Sequence, residues 1–210
     1  MTLVKICGLK TQETVDAAVE AGANFIGFVF YPPSPRAITP NDAAELIGTL
    51  PEDVKTVGLF VDPSDTDIKK TLEETPLDML RLHGEETPQR LRELRNRFSL
   101  PIIKAFPVAS QADLAPVATY TPHCDWLLFD TKTDGDLPGG TGQSFDWNIL
   151  KDMQFDRPWM LSGGLNADNV QAALTTLSPH AVDVSSGVES TRGVKDAQKI
   201  IDFTNKVKID

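Results

Sequence analysis

Trp159-Met160-Leu161-Ser162-Gly163-Gly164-Leu165-Asn166 is a short apolar run that ends in small residues and opens onto a segment of helical character. Val182-Asp183-Val184-Ser185-Ser186-Gly187 repeats the design. A strand that stops on glycine and serine leaves backbone N–H groups bare, and several converging on one point hold an anion without a lysine. Glycine in such a turn has a second explanation, the positive φ that tight turns require. The phosphate reading is favoured because the two turns fall on adjacent strands.

Outward from these turns the same strand-turn-helix unit recurs along the chain. Leu3 to Cys7 reads as a buried strand, and the segment Thr14 to Ala21 as an amphipathic helix closed by Gly22. Asn24 to Phe30 is a second strand, followed by a loop that Pro32, Pro33 and Pro35 hold extended and by a helix starting near Pro40. Strands at Lys55 to Val61, Asp78 to Leu82 and Pro101 to Phe106 alternate with helices at Ser64 to Glu74, Thr87 to Asn96 and Ser110 to Ala118. The second half adds strands at Trp126 to Asp130, Pro158 to Ser162 and Ala181 to Ser185, with helices at Asp146 to Lys151, Asn166 to Thr176 and Val194 to Lys206. About eight such pairs in 210 residues, with no shift of composition, predict an α/β protein: a single-domain (β/α)₈ TIM barrel over residues 1–210. The strand runs are apolar almost throughout, as parallel strands covered by helices should be. An open doubly wound sheet uses the same units and is the structural alternative.

Lys and Arg number 20 against 30 Asp and Glu, a formal net charge of −10. That balance repels nucleic acid and anionic membranes, so neither is an expected partner. A phosphorylated small molecule then needs a local positive field from turns and a few placed cations. Cys7 and Cys124 are too few for a disulfide framework, and no apolar run approaches the roughly 18 residues of a membrane span. A cytoplasmic protein, monomer or homodimer, is expected. The three His and two Cys are scattered without ligand spacing, so no metal is expected. With neither a dinucleotide fingerprint nor a Walker loop, no cofactor is expected either.

In a barrel the chemistry sits at the C-terminal ends of strands and in the loops beyond. Those ends supply Cys7, Arg36, His83, Asp130 and the two turns with Gly163, Gly164, Ser185, Ser186 and Gly187. Cys7 alone reads more readily as a small buried hydrophobe than as a base. Asp130 would cap the next turn, pair with Lys132, or act as an acid with its pKa raised by burial. Arg36 would clamp a carboxylate or sit at the surface. His83 would touch ligand or satisfy a core hydrogen bond, and Asp183 would line the barrel mouth or cap its loop. Cys124 reads as structural, and the loop Asp134 to Gly142 as a lid or a solvated linker.

Taken in order, these segments resemble the phosphoribosylanthranilate isomerase family along nearly the whole chain. The resemblance rests on Val4-Lys5-Ile6-Cys7-Gly8-Leu9, Gly27-Phe28-Val29-Phe30, Ser34-Pro35-Arg36 and Leu82-His83-Gly84. It continues through Phe129-Asp130, Gly139-Gly140-Thr141-Gly142, Leu161-Ser162-Gly163-Gly164-Leu165, Val182 to Glu189 and Gly193-Val194-Lys195-Asp196. Arg81 departs from it, since the family usually has Gln before Leu-His-Gly. The resemblance implies a cofactor-free Amadori rearrangement of a phosphoribosyl substrate in tryptophan biosynthesis. In it Cys7 is the general base, Asp130 the general acid, Arg36 the anthranilate contact, and the turns at Gly163-Gly164 and Ser185-Ser186 the phosphate site. Competing expectations are the histidine-pathway isomerase of similar plan, which would carry a carboxylate where Cys7 stands, and a non-catalytic phosphate-ligand sensor.

Overall fold

The computed structural model describes residues 1–133, 142 and 144–209. Eight parallel strands close into a barrel in sequence order: β1 (Leu3–Cys7), β2 (Phe25–Val29), β3 (Lys55–Phe60), β4 (Met79–Leu82), β5 (Ile102–Val108), β6 (Trp126–Thr131), β7 (Trp159–Leu161) and β8 (Ala181–Val184). Closure is made by β1 on β8, with Lys5 opposite Asp183 in register. The open-sheet alternative is thereby excluded. Around the barrel run α1 (Gln12–Glu20), α2 (Pro40–Ile47), α3 (Asp65–Glu74), α4 (Pro88–Phe98), α5 (Val117–Tyr120), α6 (Val170–Thr176) and α7 (Ala197–Lys208). No helix of the described residues is long and apolar enough to cross a membrane.

The strands are buried on both faces, and the alternation of side chains divides their residues between two cores. Val4, Ile6, Ile26, Phe28, Leu80, Leu82, Leu127, Phe129 and Val182 point outward into the packing between sheet and helices. Phe25, Val57, Met79, Ile103, Leu128, Met160 and Ala181 point inward and fill the lower barrel. Above that apolar floor the inward positions turn polar: Lys5, Arg81 and Asp183 are all buried. The inward residues of the topmost layer, Cys7, His83, Asp130 and Ser162, are what the barrel presents at its mouth.

The helix starts follow their caps. Thr39, Ser64 and Thr87 each accept a hydrogen bond from the backbone N–H three residues on, and Ser64 with Asp67 forms a full capping box. Four expected helices differ from what is found. The segment from Ser110 to Ala118 is broken into a 3₁₀ turn (Gln111–Leu114) and the short α5, because Pro116 lacks the N–H that a continuous helix needs. Asp146 to Lys151 makes only a 3₁₀ turn, Trp147–Leu150. After β7, Asn166 Oδ1 accepts from the N–H groups of Asp168 and Asn169 at 2.9 and 3.1 Å, so a side-chain turn delays α6 until Val170. Val194 and Lys195 belong to a hairpin, β9 (Glu189–Thr191) with β10 (Val194–Lys195), turned by Gly193 at φ +84°, and α7 starts only after the Asp196 cap. The expected lid from Asp134 to Gly142 lies, Gly142 apart, outside the described residues.

Candidate active site

A pocket at the barrel mouth is lined by Cys7 of β1, Arg36 of the loop after β2, Arg81 and His83 at the end of β4, Asp130 of β6, and the turns after β7 and β8. Of the candidate site residues read from the sequence, all but Gly187 line it. A Cβ on Gly187 would run into the carbonyl oxygen of Leu165, so its bare Cα lets the two turns pack backbone to backbone. Gly163 and Gly164 both take positive φ, +88° and +63°, and a side chain on Gly163 would collide with Thr131. Turn geometry therefore accounts for these glycines, and it also frees their N–H groups: among the described residues neither donates to a protein acceptor.

Asp130 is 5 % exposed. Its Oδ1 accepts from the Thr131 N–H at 2.8 Å and its Oδ2 lies 3.3 Å from Arg81 Nη2. Burial raises the pKa of this carboxyl, against the pull of Arg81. The expected alternative partner, Lys132, is bound to Asp113 at 2.9 Å. His83 Nδ1 faces Arg81 Nη2 at 3.2 Å, and since a guanidinium only donates, Nδ1 is the acceptor and the ring proton is assigned to Nε2. Nε2 in turn stands 3.6 Å from Asp130 Oδ2. Burial, with Arg81 and Lys104 nearby, holds His83 well below its ordinary pKa and so neutral. Both ring nitrogens are thus turned toward protein groups.

Asp183 is not a loop cap. It sits one layer below the mouth, 1 % exposed, accepting from Lys5 Nζ and Arg81 Nη1, each at 2.7 Å, and from Ser162 Oγ at 3.0 Å. Burial opposes its ionisation, but the two cations more than compensate and hold its carboxyl far below the usual carboxylate range. Cys7 Sγ lies 3.8 Å from Arg81 Nη1. Gly27, opposite Cys7 on β2, is required for space: a Cβ there would press on Lys5 Nζ and Cys7 Sγ alike. Cys124 is fully buried, donates to the Tyr120 carbonyl at 3.4 Å, and has its thiol pushed up by burial to about 11, as befits a structural residue.

Arg36 lines the pocket with its stem laid over Gly8, and its Nε and Nη2 are held by Glu189 at 2.7 and 3.0 Å. Glu189 also accepts from Lys195 Nζ at 2.8 Å and from the Gly193 N–H at 3.0 Å; against burial, the bond from Arg36 and then these two lower its pKa to about 2. The hairpin β9–β10 is therefore the bracket for Arg36. Ser185 Oγ donates to the Cys7 carbonyl at 3.1 Å and accepts from Lys195 at 3.0 Å, tying β8 to β1. With the geometry in place, the comparisons with known proteins converge. Residues 4–206 match the family model of N-(5'-phosphoribosyl)anthranilate (PRA) isomerase.

The chain belongs to the PRA isomerase family.

It is 48 % identical over 202 residues to the N-(5'-phosphoribosyl)anthranilate isomerase of Paramagnetospirillum magneticum, covering 95 % of this chain and 94 % of that one. The solved phosphoribosylanthranilate isomerase of Thermotoga maritima superposes with a TM-score of 0.90 at 38 % identity, covering 99 % of each chain. A further isomerase structure, at TM-score 0.85, 36 % identity and 99 % coverage of both chains, is a complex with reduced 1-(o-carboxyphenylamino)-1-deoxyribulose 5-phosphate. Ser162 lines this isomerase pocket, and Lys5, Glu189 and Lys195 support its lining from behind, polar contacts that the sequence reading did not assign. A signal for Lys5 exists: like Arg81 and Asp183, which precede His83 and Ser185, it stands two residues before a mouth residue, Cys7, and so shares its face of the strand.

Proposed function

We propose that this chain converts N-(5'-phosphoribosyl)anthranilate to 1-(2-carboxyphenylamino)-1-deoxyribulose 5-phosphate in tryptophan biosynthesis, with Cys7 as general base and Asp130 as general acid. One observation carries the reading: Cys7 Sγ and Asp130 Oδ2, from β1 and β6, approach the two Nη atoms of the same buried guanidinium, with the β7 and β8 turns on the wall between them. A sugar whose phosphate rests on those turns lies within reach of both groups. The complex of a related isomerase with a reduced product supports this choice of substrate.

In this reading Asp130 protonates the furanose ring oxygen, the C–O bond breaks and a Schiff base forms at C1. Cys7 then takes the proton from C2, and the enolamine tautomerises to the ketone. The raised pKa of Asp130 suits a proton donor, and Cys7 Sγ stands 3.8 Å from the Arg81 guanidinium. The N–H groups of Gly163 and Gly164 hold the phosphate as hydrogen-bond donors, and the late start of α6 leaves that work to the turn itself. Arg36 meets the anthranilate through its ring face and carboxylate, braced by Glu189. His83 and Ser185 position Asp130 and the β1–β8 seam, and Asp183 holds the cations below. Incubation with N-(5'-phosphoribosyl)anthranilate, followed by loss of its fluorescence, tests the assignment. Turnover is expected, and binding without turnover would instead favour a phosphate-ligand sensor.

A further inference from the structure

One guanidinium reaches both proton-moving groups. Arg81 is 2 % exposed, with Nη1 3.8 Å from Cys7 Sγ and Nη2 3.3 Å from Asp130 Oδ2. Its buried Nε has no hydrogen-bond partner among the described residues, so the side chain is placed by what its Nη atoms hold. Its shortest bond, 2.7 Å, is to Asp183, but Asp183 also takes Lys5 at 2.7 Å through its other oxygen.

The charges of this layer do not cancel. Lys5 and Arg81 share one carboxylate, that of Asp183, and His83, set between Arg81 Nη2 and Asp130 Oδ2, is neutral. Of the neighbouring cations, Lys104 of β5 is matched by Glu86 at 2.7 Å, whereas Lys195 of β10 and Arg36 share Glu189, so neither Glu86 nor Glu189 is left over to neutralise the layer. Within the cluster of Lys5, Arg81 and Asp183 one positive charge is left over, and a buried unmatched ion is costly. The groups in contact with it that can supply the matching negative charge are the Cys7 thiol and the Asp130 carboxyl.

We propose that Arg81 is a positioning residue for the proton transfers, its surplus charge holding one negative charge, and hence one shared proton, on Cys7 and Asp130 together. The inference rests on the assignment of those two as base and acid. A thiolate beside a carboxylic acid is the arrangement of one proton from which the rearrangement starts; two protons on the pair silence the base, and none silences the acid.

The pH profile of kcat/KM tests this in the wild type, Arg81→Gln and Arg81→Lys, with circular dichroism and product-analogue affinity checking fold and binding. The two limbs of the profile are ionisations of the pair rather than of either residue. Removing a cation that touches both groups favours protonation of both, so Arg81→Gln should move both limbs to higher pH by about one unit. Activity at the acid side of the profile should then fall about tenfold, whereas Arg81→Lys should keep both limbs near the wild-type positions. Lower turnover with both limbs in place would overturn the proposal, as would limbs moving in opposite directions. Should Arg81→Gln fail to fold, Arg81→Lys decides: coincident limbs uphold the proposal and displaced limbs overturn it. Failure of the underlying assignment reads differently, as full turnover in Cys7→Ser or Asp130→Asn whatever the Arg81 variants do.

Discussion

Arg36 illustrates how much of a pocket residue's placement is done by its neighbours. Two of its nitrogens are committed to Glu189, which is itself fixed by Lys195 and by the turn at Gly193. The arginine was visible in the sequence because prolines frame it, but its bracket was not, since Glu189 lies 153 residues away. Lys5 was overlooked, and the partners of Arg81 and Asp183 were not foreseen, for a related reason: a single charge inside an apolar run reads as an interruption until closure turns it toward other charges. Glu189→Ala should release Arg36 and raise KM about tenfold, the loss of one charge-assisted hydrogen-bonded pair, with kcat little changed. Steady-state kinetics with the phosphoribosyl substrate would show it; an unaltered KM would mean that Arg36 holds its place unaided.

At the level of elements, strands were legible because they are buried on both faces and bounded by turn residues, and helices were legible where a cap announced them. Ser64 and Thr87 mark the starts of α3 and α4 within one residue of the expectation. Where the expectation failed, a local competitor had won: Pro116 broke one helix, and the Asn166–Asn169 turn shortened another. Strand β10 was read as the start of the last helix because Gly193 was not recognised as the turn of a hairpin. Ser64→Ala removes the capping box of α3, which lies outside the pocket, and should cost about 1 kcal/mol in urea unfolding with kcat/KM unchanged. A loss well above that would mean that Ser64 does more than cap.

Across the whole molecule, closure of the barrel converts scattered residues into one charged layer between an apolar floor and an open mouth. That layer ties stability to pH. Glu189 titrates near 2 in the folded chain against an ordinary 4.5, so its contribution is complete above 4.5 and lost as pH falls toward 2; Asp183, also depressed, follows the same sign. His83 stays neutral in the fold, while the unfolded chain takes up a proton below 6.5, so stability declines as pH drops through that value. Asp130, raised by burial, opposes the trend. The urea midpoint should accordingly begin to fall below about pH 6.5 and fall more steeply below 4.5. Asp183→Asn leaves Lys5 and Arg81 without their carboxylate, so it should cost about 3 kcal/mol at pH 7 and flatten the steep part of that acid decline.

The central claim is that Cys7 and Asp130 move the protons in a pocket whose other groups bind and position. It is tested most directly by the kcat of Cys7→Ser and Asp130→Asn at saturating N-(5'-phosphoribosyl)anthranilate, with affinity for a reduced product analogue measured alongside. Each variant should lose about 10²- to 10⁴-fold in kcat while binding the analogue as the wild type does. Near-normal kcat in either variant would contradict the role given to that residue.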